Sequence, residues 1–308
     1  MHADQTPPMI TGYTARPATT ADIPDIHRLV VAAEHALHGH VATDPDTIAA
    51  ELARPGLDPA QDTVLVFDAA GALAARAWVN RRSEVDVHPA HRGLGLGAAL
   101  LDWVEKQARR SGTTRIAQTV ADADKAAVGL VEAAGYEPLV TAWLLEIALP
   151  SEAPGRREDV TVRMFRPGDE RAAHVVTEDA FDDWQERRKD YDEWATLTVG
   201  RTTFAQDVSP VAFAGEEMVG AVLALDDPES PDGHIERVAV RRDQRGRGIA
   251  SLLLRHAFDS FHRRGRSACT LWTHSDTGAL ALYERVGMSV RRSSTVYRKE
   301  LADTLLKG

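Results

Sequence analysis

The sequence reads His91-Arg92-Gly93-Leu94-Gly95-Leu96-Gly97-Ala98 and, 153 residues later, Gln244-Arg245-Gly246-Arg247-Gly248-Ile249-Ala250-Ser251. Each copy follows a run of alternating valines, Val85-Asp86-Val87 or Val238-Ala239-Val240, and such a run predicts a strand. Each copy also opens an apolar stretch that ends on arginines and a glycine, as helices commonly do. The sequence therefore contains two copies of a strand, a glycine turn and a helix.

The duplication predicts how the chain divides into domains. With 308 residues, the chain has the length of about two ordinary domains. The segment from Pro150 to Asp159 is polar and rich in turn-forming residues, which is typical of a linker. We predict an α+β protein of two tandem domains at residues 1–150 and 160–308, joined by a linker at 151–159. Each domain is expected to be a mixed, mostly antiparallel sheet flanked by helices.

Composition and charge argue against several classes of protein. The formal net charge of −10 disfavours nucleic acid as a partner, because phosphate backbones are also negative. Apolar runs are too short for a spanning helix, and the polar N-terminus does not resemble a secretory signal, so no membrane partner is expected. The single cysteine, Cys269, excludes an internal disulfide and a cysteine-rich zinc site, and it is expected to be buried packing. We therefore expect a cytoplasmic protein without a metal, either a monomer or a homodimer.

The glycine turns have the features of an anion-binding site. A strand that feeds a glycine-rich turn and then a helix leaves backbone N–H groups unpaired at the positive end of the helix dipole. Glycine lets a phosphate approach the backbone closely, and Arg92, Arg245 and Arg247 could add positive charge. The competing interpretation is a tight connection that needs glycine for packing alone.

Two common nucleotide-binding motifs do not fit the turns. A Walker loop requires Gly-Lys-Ser/Thr, and neither turn contains lysine. The dinucleotide fingerprint fits the first turn as Gly93, Gly95 and Ala98, but the second turn ends in Ser251 instead. Neither copy has the acidic residue that would bind the ribose. Both motifs are therefore rejected.

Both turns share the pattern Arg-x-x-Gly-x-Gly/Ala, which resembles the acetyl-CoA pyrophosphate loop of the GCN5-related N-acetyltransferase (GNAT) superfamily. The stretch from Asp276 to Met288 resembles the second signature of that family, Asn-x-x-Ala-x-x-Leu-Tyr-Glu-x-x-Gly-Phe, with Asp276 in place of Asn. Together the motifs cover nearly the whole chain as two tandem units. The resemblance implies acetyl-CoA as the acyl donor, bound through Val85, Val87, Arg92, Gly93, Gly95 and Gly97 in the first copy and Val238, Ala239, Val240, Arg245, Gly246, Arg247, Gly248, Ile249, Ala250 and Asp276 in the second.

The resemblance also implies catalytic roles. Acetyl transfer from a thioester to an amine requires removal of a proton from the ammonium, stabilisation of the carbonyl oxygen and a proton for the departing thiolate. In this family a backbone N–H of the strand before the turn stabilises the oxygen, which implies strand 238–240. The tyrosine of the second signature, here Tyr283, donates to the thiolate. The base occupies one of two strand positions, here His234 and Glu236, which lie two residues apart and are expected to share a face.

The first copy lacks these proton-transfer groups. Val131 stands at the position of Tyr283, and Arg81 and Ser83 stand at the positions of the two candidate bases. We therefore expect the N-terminal domain to be non-catalytic. Whether it still binds acetyl-CoA stays open.

The resemblance places the acceptor pocket at the first helices of the C-terminal domain, around residues 178–194. Aromatic residues alternate there with carboxylates, including Asp183 and Trp184, and Trp272 is a further candidate for contact with a cationic amine. An amphipathic helix pair with packed aromatics is the alternative, and Asp276 is expected to cap the following helix. The prediction is an N-acetyltransferase acting on a primary amine of a small molecule. The alternatives are an acyl-CoA-binding protein without catalysis and an enzyme that acetylates a protein N-terminus or lysine.

Overall fold

The computed structural model describes residues 10–39, 43–80, 82–155, 157–182, 187–228 and 230–301. Its contacts divide the chain into two compact units, Met1–Thr141 with Ser294–Gly308, and Ala142–Ser293. These units follow strand pairing, so residues 142–148 belong to the second unit and residues 294–300 to the first. The linker at residues 151–159 is inferred from where the sequence repeats, and this domain boundary stays a prediction.

The first unit contains its elements in the order expected from the sequence. They are β1 (Thr14–Arg16), α1 (Ile23–His38), α2 (Pro45–Leu52), α3 (Pro59–Asp62), β2 (Thr63–Phe67), β3 (Leu73–Trp78), β4 (Glu84–Val87), α4 (Leu96–Arg110), β5 (Arg115–Ala121), α5 (Lys125–Ala133) and the beginning of β6 (Glu137–Ala148). Strands β1 to β4 form an antiparallel sheet in that order. Strand β5 pairs antiparallel with residues 294–300. The apolar face of α4, including Leu100 and Val104, packs into the core of this unit.

The second unit repeats this order. It contains β7 (Thr161–Met164), α6 (Glu170–Phe181), α7 (Tyr191–Leu197), β8 (Pro210–Ala214), β9 (Glu217–Leu225), β10 (Asp232–Val240), α8 (Ile249–Arg263), β11 (Ala268–His274), α9 (Leu280–Arg285) and the beginning of β12 (Ser289–Glu300). Strands β7 to β10 pair antiparallel in sequence order, β11 pairs parallel with β10, and residues 142–148 pair antiparallel with β11. The predicted α+β class, with mostly antiparallel sheets and flanking helices, is confirmed.

Strands β10 and β11 diverge, and this divergence positions the site. The two strands pair only over residues 232–235 and 268–271. Past Ile235 the register between β10 and β9 shifts by one residue. Ile235 pairs with Ala224, and the adjacent residue of β9, Leu223, pairs with Arg237. Glu236 is therefore the extra residue of a β-bulge, a feature that bends a strand and re-aims its side chains. A cleft opens between the two strands beyond this point.

Two glycines allow α8 to lie close to the sheet. A side chain at Gly233 would come within 2.4 Å of the Phe261 ring, and one at Gly220 within 3.0 Å of Leu253. Phe261 and Leu253 are completely buried. The close packing of α8 therefore fixes β10 at the residues that precede the bulge.

Cys269, the helices and the potential metal ligands each bear on an expectation from the sequence. Cys269 is completely buried, and burial raises the pKa of its thiol, so the residue is packed and inert, as predicted. In the described part of the chain, none of the helices is both long and apolar enough to cross a bilayer. Among the same residues, no group of three or more His, Cys, Asp or Glu side chains is arranged to hold a metal ion.

Candidate active site

The cleft of the second unit has a volume of about 550 Å³. Its walls come from β10, the glycine turn, β11 and α9, and Ala180 and Phe181 close it at the end of α6. Of the residues predicted from the sequence, the following line it: Glu236, Val238, Val240, Arg245, Gly246, Gly248, Ile249, Ala250, Trp272 and Tyr283. The bulged strand, the turn and the tyrosine of the second signature therefore meet in one cavity.

The glycine turn presents a row of unused hydrogen-bond donors. Gly246 and Gly248 have φ values of +75° and +79°, a conformation that glycine adopts without strain. Helix α8 begins directly after Gly248, and its first bond to the turn runs from the Leu252 N–H to the Gly248 carbonyl. Within the described structure, the N–H groups of residues 246–251 donate no hydrogen bond. Such a cradle at a helix N-terminus fits a pyrophosphate.

The arginines of the turn are engaged with protein groups. The Arg245 guanidinium donates to the carbonyl oxygens of Val240 and Ala180, at 3.1 Å each. Arg247 lies 2.6 Å from the Asp159 carboxylate and does not line the cleft. Arg245 therefore ties the turn to β10 and α6, and the backbone N–H groups are left as the available donors for an anion.

The two candidate bases lie together, but only one faces the cleft. Glu236 lines the cleft and His234 does not, although only 3.7 Å separates the His234 Nε2 from the Glu236 Oε2. The predicted proximity of the two side chains is therefore present, while the bulge at Glu236 accompanies a difference in which of them reaches the cleft. Arg201 approaches the other carboxylate oxygen, Oε1, at 3.7 Å.

His234 has a defined partner on its other ring nitrogen. Its Nδ1 lies 3.0 Å from the Thr270 hydroxyl, which also donates to the Gly233 carbonyl at 3.3 Å. A hydroxyl has one hydrogen, so when it donates to Gly233 it accepts from the Nδ1–H, and Nε2 is left unprotonated. Burial lowers the pKa of His234, Arg201 lowers it further and Glu236 opposes the shift. The imidazole is therefore neutral at neutral pH.

Tyr283 lies in the wall of the cleft on α9. Its side chain is buried, and burial raises the pKa of the phenol to about 12. The hydroxyl therefore keeps its proton at neutral pH and can donate it to a group in the cleft.

A second cleft, of about 500 Å³, occupies the equivalent place in the first unit. All six residues predicted to contact the cofactor there line it: Val85, Val87, Arg92, Gly93, Gly95 and Gly97. Its turn repeats the row of unused donors, since the N–H groups of residues 93–98 donate no hydrogen bond in the described structure. Val131 lines this cleft, so an aliphatic side chain stands where the second unit has a phenol.

The comparison with known protein families accords with this geometry. The acetyltransferase (GNAT) family profile matches residues 63–136 and 171–288, which together make up more than half of the chain. The chain belongs to the GNAT acetyltransferase family. It is an acyltransferase built as a tandem of GNAT units, as predicted.

Individual GNAT relatives match along nearly the whole chain. A crystal structure of a GCN5-related N-acetyltransferase from Sphaerobacter thermophilus is 31% identical, with a TM-score of 0.74 over 96% of this chain and 97% of that one. A mycothiol acetyltransferase from Catenulispora acidiphila is 26% identical over 311 residues, 93% of this chain and 98% of the relative. A tandem GNAT protein from the clavulanic acid biosynthesis pathway shares the fold, with 16% identity and a TM-score of 0.66 over 95% and 99% of the two chains.

Several residues predicted for the GNAT site lie elsewhere. Asp276 is exposed, does not line the cleft and does not cap α9, so the capping prediction was wrong. The cap residue is Ala279, whose N–H donates to the Thr277 hydroxyl at 3.1 Å. The Ala239 side chain is buried in the core cluster on the α6 face of the sheet. Asp183, Trp184 and Arg81 lie outside the described residues.

The structure adds cleft residues that sequence reasoning missed. Phe181, His274, Thr277 and Arg285 line the cleft of the second unit. Arg285 stands inside the second signature, so its position could have been noticed from the motif. Phe181 could not, because its place depends on how the end of α6 packs. Trp272, which was predicted, is 46% exposed and stacks with Arg292 at 5.4 Å.

Proposed function

We propose that the second unit transfers an acetyl group from acetyl-CoA to the primary amine of a small molecule. One observation carries this proposal: Glu236, Tyr283 and the unused donors of the turn all line one cleft. An acid, a base and an anion cradle in one cavity are the groups that thioester aminolysis requires. The small-molecule acceptor is supported by relatives named mycothiol acetyltransferases.

The donors of the turn support acetyl-CoA as the donor substrate. Residues 246–251 would hold its pyrophosphate, and acetyl-CoA would supply an activated thioester. The Arg241 N–H bonds to Val219 on β9, so the alternation of an antiparallel strand directs the N–H groups of Val238 and Val240 away from β9. Since β11 has diverged at this point, these N–H groups are suited to stabilise the carbonyl oxygen as it gains charge.

Glu236 is proposed as the general base. It is the candidate base that lines the cleft, and the bulge directs its carboxylate there. The neutral His234 beside it presents an unprotonated Nε2, which can receive the proton from Glu236. Tyr283 is proposed as the general acid that protonates the departing thiolate, because it lines the cleft and its pKa of about 12 keeps the phenol protonated at neutral pH.

The first unit is proposed to bind without catalysing. It keeps the donors of its turn, yet it presents Val131 in place of the acid and Ser83 at one base position. Valine has no proton to donate, and the Ser83 side chain is buried against the backbone of Asn80.

An amine screen tests the proposal. The full chain is incubated with acetyl-CoA and a panel of amino sugars, polyamines, amino acids and peptides, and release of free thiol is measured. We expect thiol release that depends on the amine, with an N-acetylated product. Acetyl-CoA binding without thiol release for any amine would instead support an acyl-CoA-binding protein.

A further inference from the structure

The charges beside the proposed base do not balance. Glu236 carries the negative charge at this end of the cleft, and Arg201 lies against it at 3.7 Å. His234, the other neighbour of Glu236, is neutral. Arg237, the next residue along β10, therefore contributes a positive charge that no carboxylate among the described residues offsets by an ion pair.

Arg237 has an unusual environment for an arginine. Its guanidinium stacks on the Phe181 ring at 5.3 Å, and its Nε is buried without a hydrogen-bond partner. Within the described part of the chain, the whole side chain makes no ion pair and no hydrogen bond. A buried donor without an acceptor is costly for folding, so this arrangement calls for a partner from outside the chain.

The position of Arg237 points to the acceptor rather than to the acyl donor. The donors for the pyrophosphate lie at the turn, past the far end of β10. Arg237 and Ala239 are two apart on β10 and share the face on which α6 packs. Phe181, on which Arg237 stacks, lines the cleft together with Glu236, so Arg237 lies at the margin of the cleft rather than in its wall.

We infer that the acceptor carries a carboxylate in addition to its amine, and that Arg237 binds this carboxylate. The inference rests on the proposed function and narrows its acceptor to amino acids and other amino carboxylates. A guanidinium fork matches a carboxylate with two parallel hydrogen bonds. One uncompensated guanidinium fits a monoanion better than a doubly charged phosphate, which would call for a second unpaired cation.

Matched pairs of amines test this inference. The pairs are serine with serinamide, β-alanine with its amide, and the best acceptor of the amine screen with a version that has gained or lost a carboxylate. Thiol release from acetyl-CoA gives kcat/KM for each member, and pairs are compared at equal concentrations of the free amine. We expect the carboxylate members to be favoured by roughly 10- to 100-fold.

Variants assign the preference to one side chain. Arg237→Met keeps an unbranched stem on Phe181 and is expected to bring each pair within about twofold, mainly through KM. Arg237→Lys keeps the charge and should restore part of the preference. Arg171→Met is the matched control, because Arg171 also stacks on an aromatic ring, Tyr191, at 4.3 Å. The control should keep the full preference.

Thermal melting provides a readout that does not depend on turnover. Arg237→Met removes an unsatisfied buried donor, so its melting temperature should be equal to or higher than that of the parent. The inference is overturned if amides and carboxylates react equally well in the parent, or if Arg237→Met keeps the preference. Absence of thiol release with every amine would overturn the proposed transferase function itself, together with this inference.

Discussion

At the scale of residues, the two units differ in the groups that can move protons. Tyr283 and Val131 line corresponding clefts, and the phenol of one is replaced by an alkyl group in the other. The Glu236 carboxylate lies 3.7 Å from each of two groups, the neutral imidazole of His234 and the guanidinium of Arg201. In the proposed function, these few side chains distinguish the unit that catalyses aminolysis from the unit that only binds.

The assignment of the base makes a first prediction. Glu236→Gln retains the shape of the side chain but removes proton acceptance, so kcat should fall by about 10²-fold or more while acetyl-CoA affinity stays unchanged. His234→Asn is the comparison, because it keeps a polar side chain beside Thr270. If His234 acts only through Glu236, its replacement should lower kcat less than the loss of Glu236. A larger loss for His234→Asn would make the imidazole the base.

The titration of Tyr283 makes a second prediction, about pH. A general acid must be protonated, and the pKa of this phenol is raised from 10 to about 12. Activity should therefore show no falling alkaline limb at the ordinary tyrosine pKa of 10. A kcat–pH profile measured through that value checks this, and a limb centred there would contradict a buried, protonated acid.

His234 makes a third prediction, about stability. Its pKa is lowered from 6.5 in the folded chain, so between that value and the folded pKa the unfolded chain binds more protons. The free energy of unfolding should therefore decrease as the pH falls below 6.5. Urea titrations at several pH values measure this slope. His234→Asn should reduce it, and an unchanged slope would contradict a buried, neutral imidazole.

At the scale of elements, the site depends on the bulged strand and on the turn that follows it. The bulge directs Glu236 into the cleft, and the turn leaves the N–H groups of residues 246–251 free. Arg245 connects the turn to β10 and α6 through two carbonyl oxygens. The geometry of the proposed phosphate site is therefore held by backbone conformation more than by charged side chains.

A matched pair of glycine substitutions tests the turn. Gly248 and Gly95 begin equivalent helices at φ values of +79° and +86°, and neither has an atom closer than 3.5 Å to an added Cβ. Alanine disfavours this left-handed conformation by about 1–2 kcal/mol, so we expect the free turn to relax out of it and to have to return to it when acetyl-CoA binds. Gly248→Ala should therefore raise the KM for acetyl-CoA by about 5- to 30-fold. Gly95→Ala should leave KM and kcat unchanged, and an equal loss for both variants would contradict assignment of the activity to the second unit.

At the scale of the whole molecule, the sequence predicted the duplication, the α+β class and the meeting of the turn with Tyr283. These features could be predicted because each motif is a short stretch of neighbouring residues, and because a glycine turn marks where the following helix begins. The bulge at Glu236 was not predictable, because it arises from the register between β10 and β9. That Arg237 has no hydrogen-bond or ion-pair partner among the described residues also required the structure, since partners across the fold cannot be identified from the sequence.

The central claim is that acetyl transfer takes place in the second unit, with Tyr283 as the acid. Turnover of Tyr283→Phe tests it most directly, alongside acetyl-CoA affinity and the control Tyr136→Phe, which removes a buried phenol from the first unit. We expect kcat of Tyr283→Phe to fall by about 10²-fold or more with acetyl-CoA affinity nearly intact, while Tyr136→Phe turns over normally. Unchanged turnover in Tyr283→Phe would contradict it.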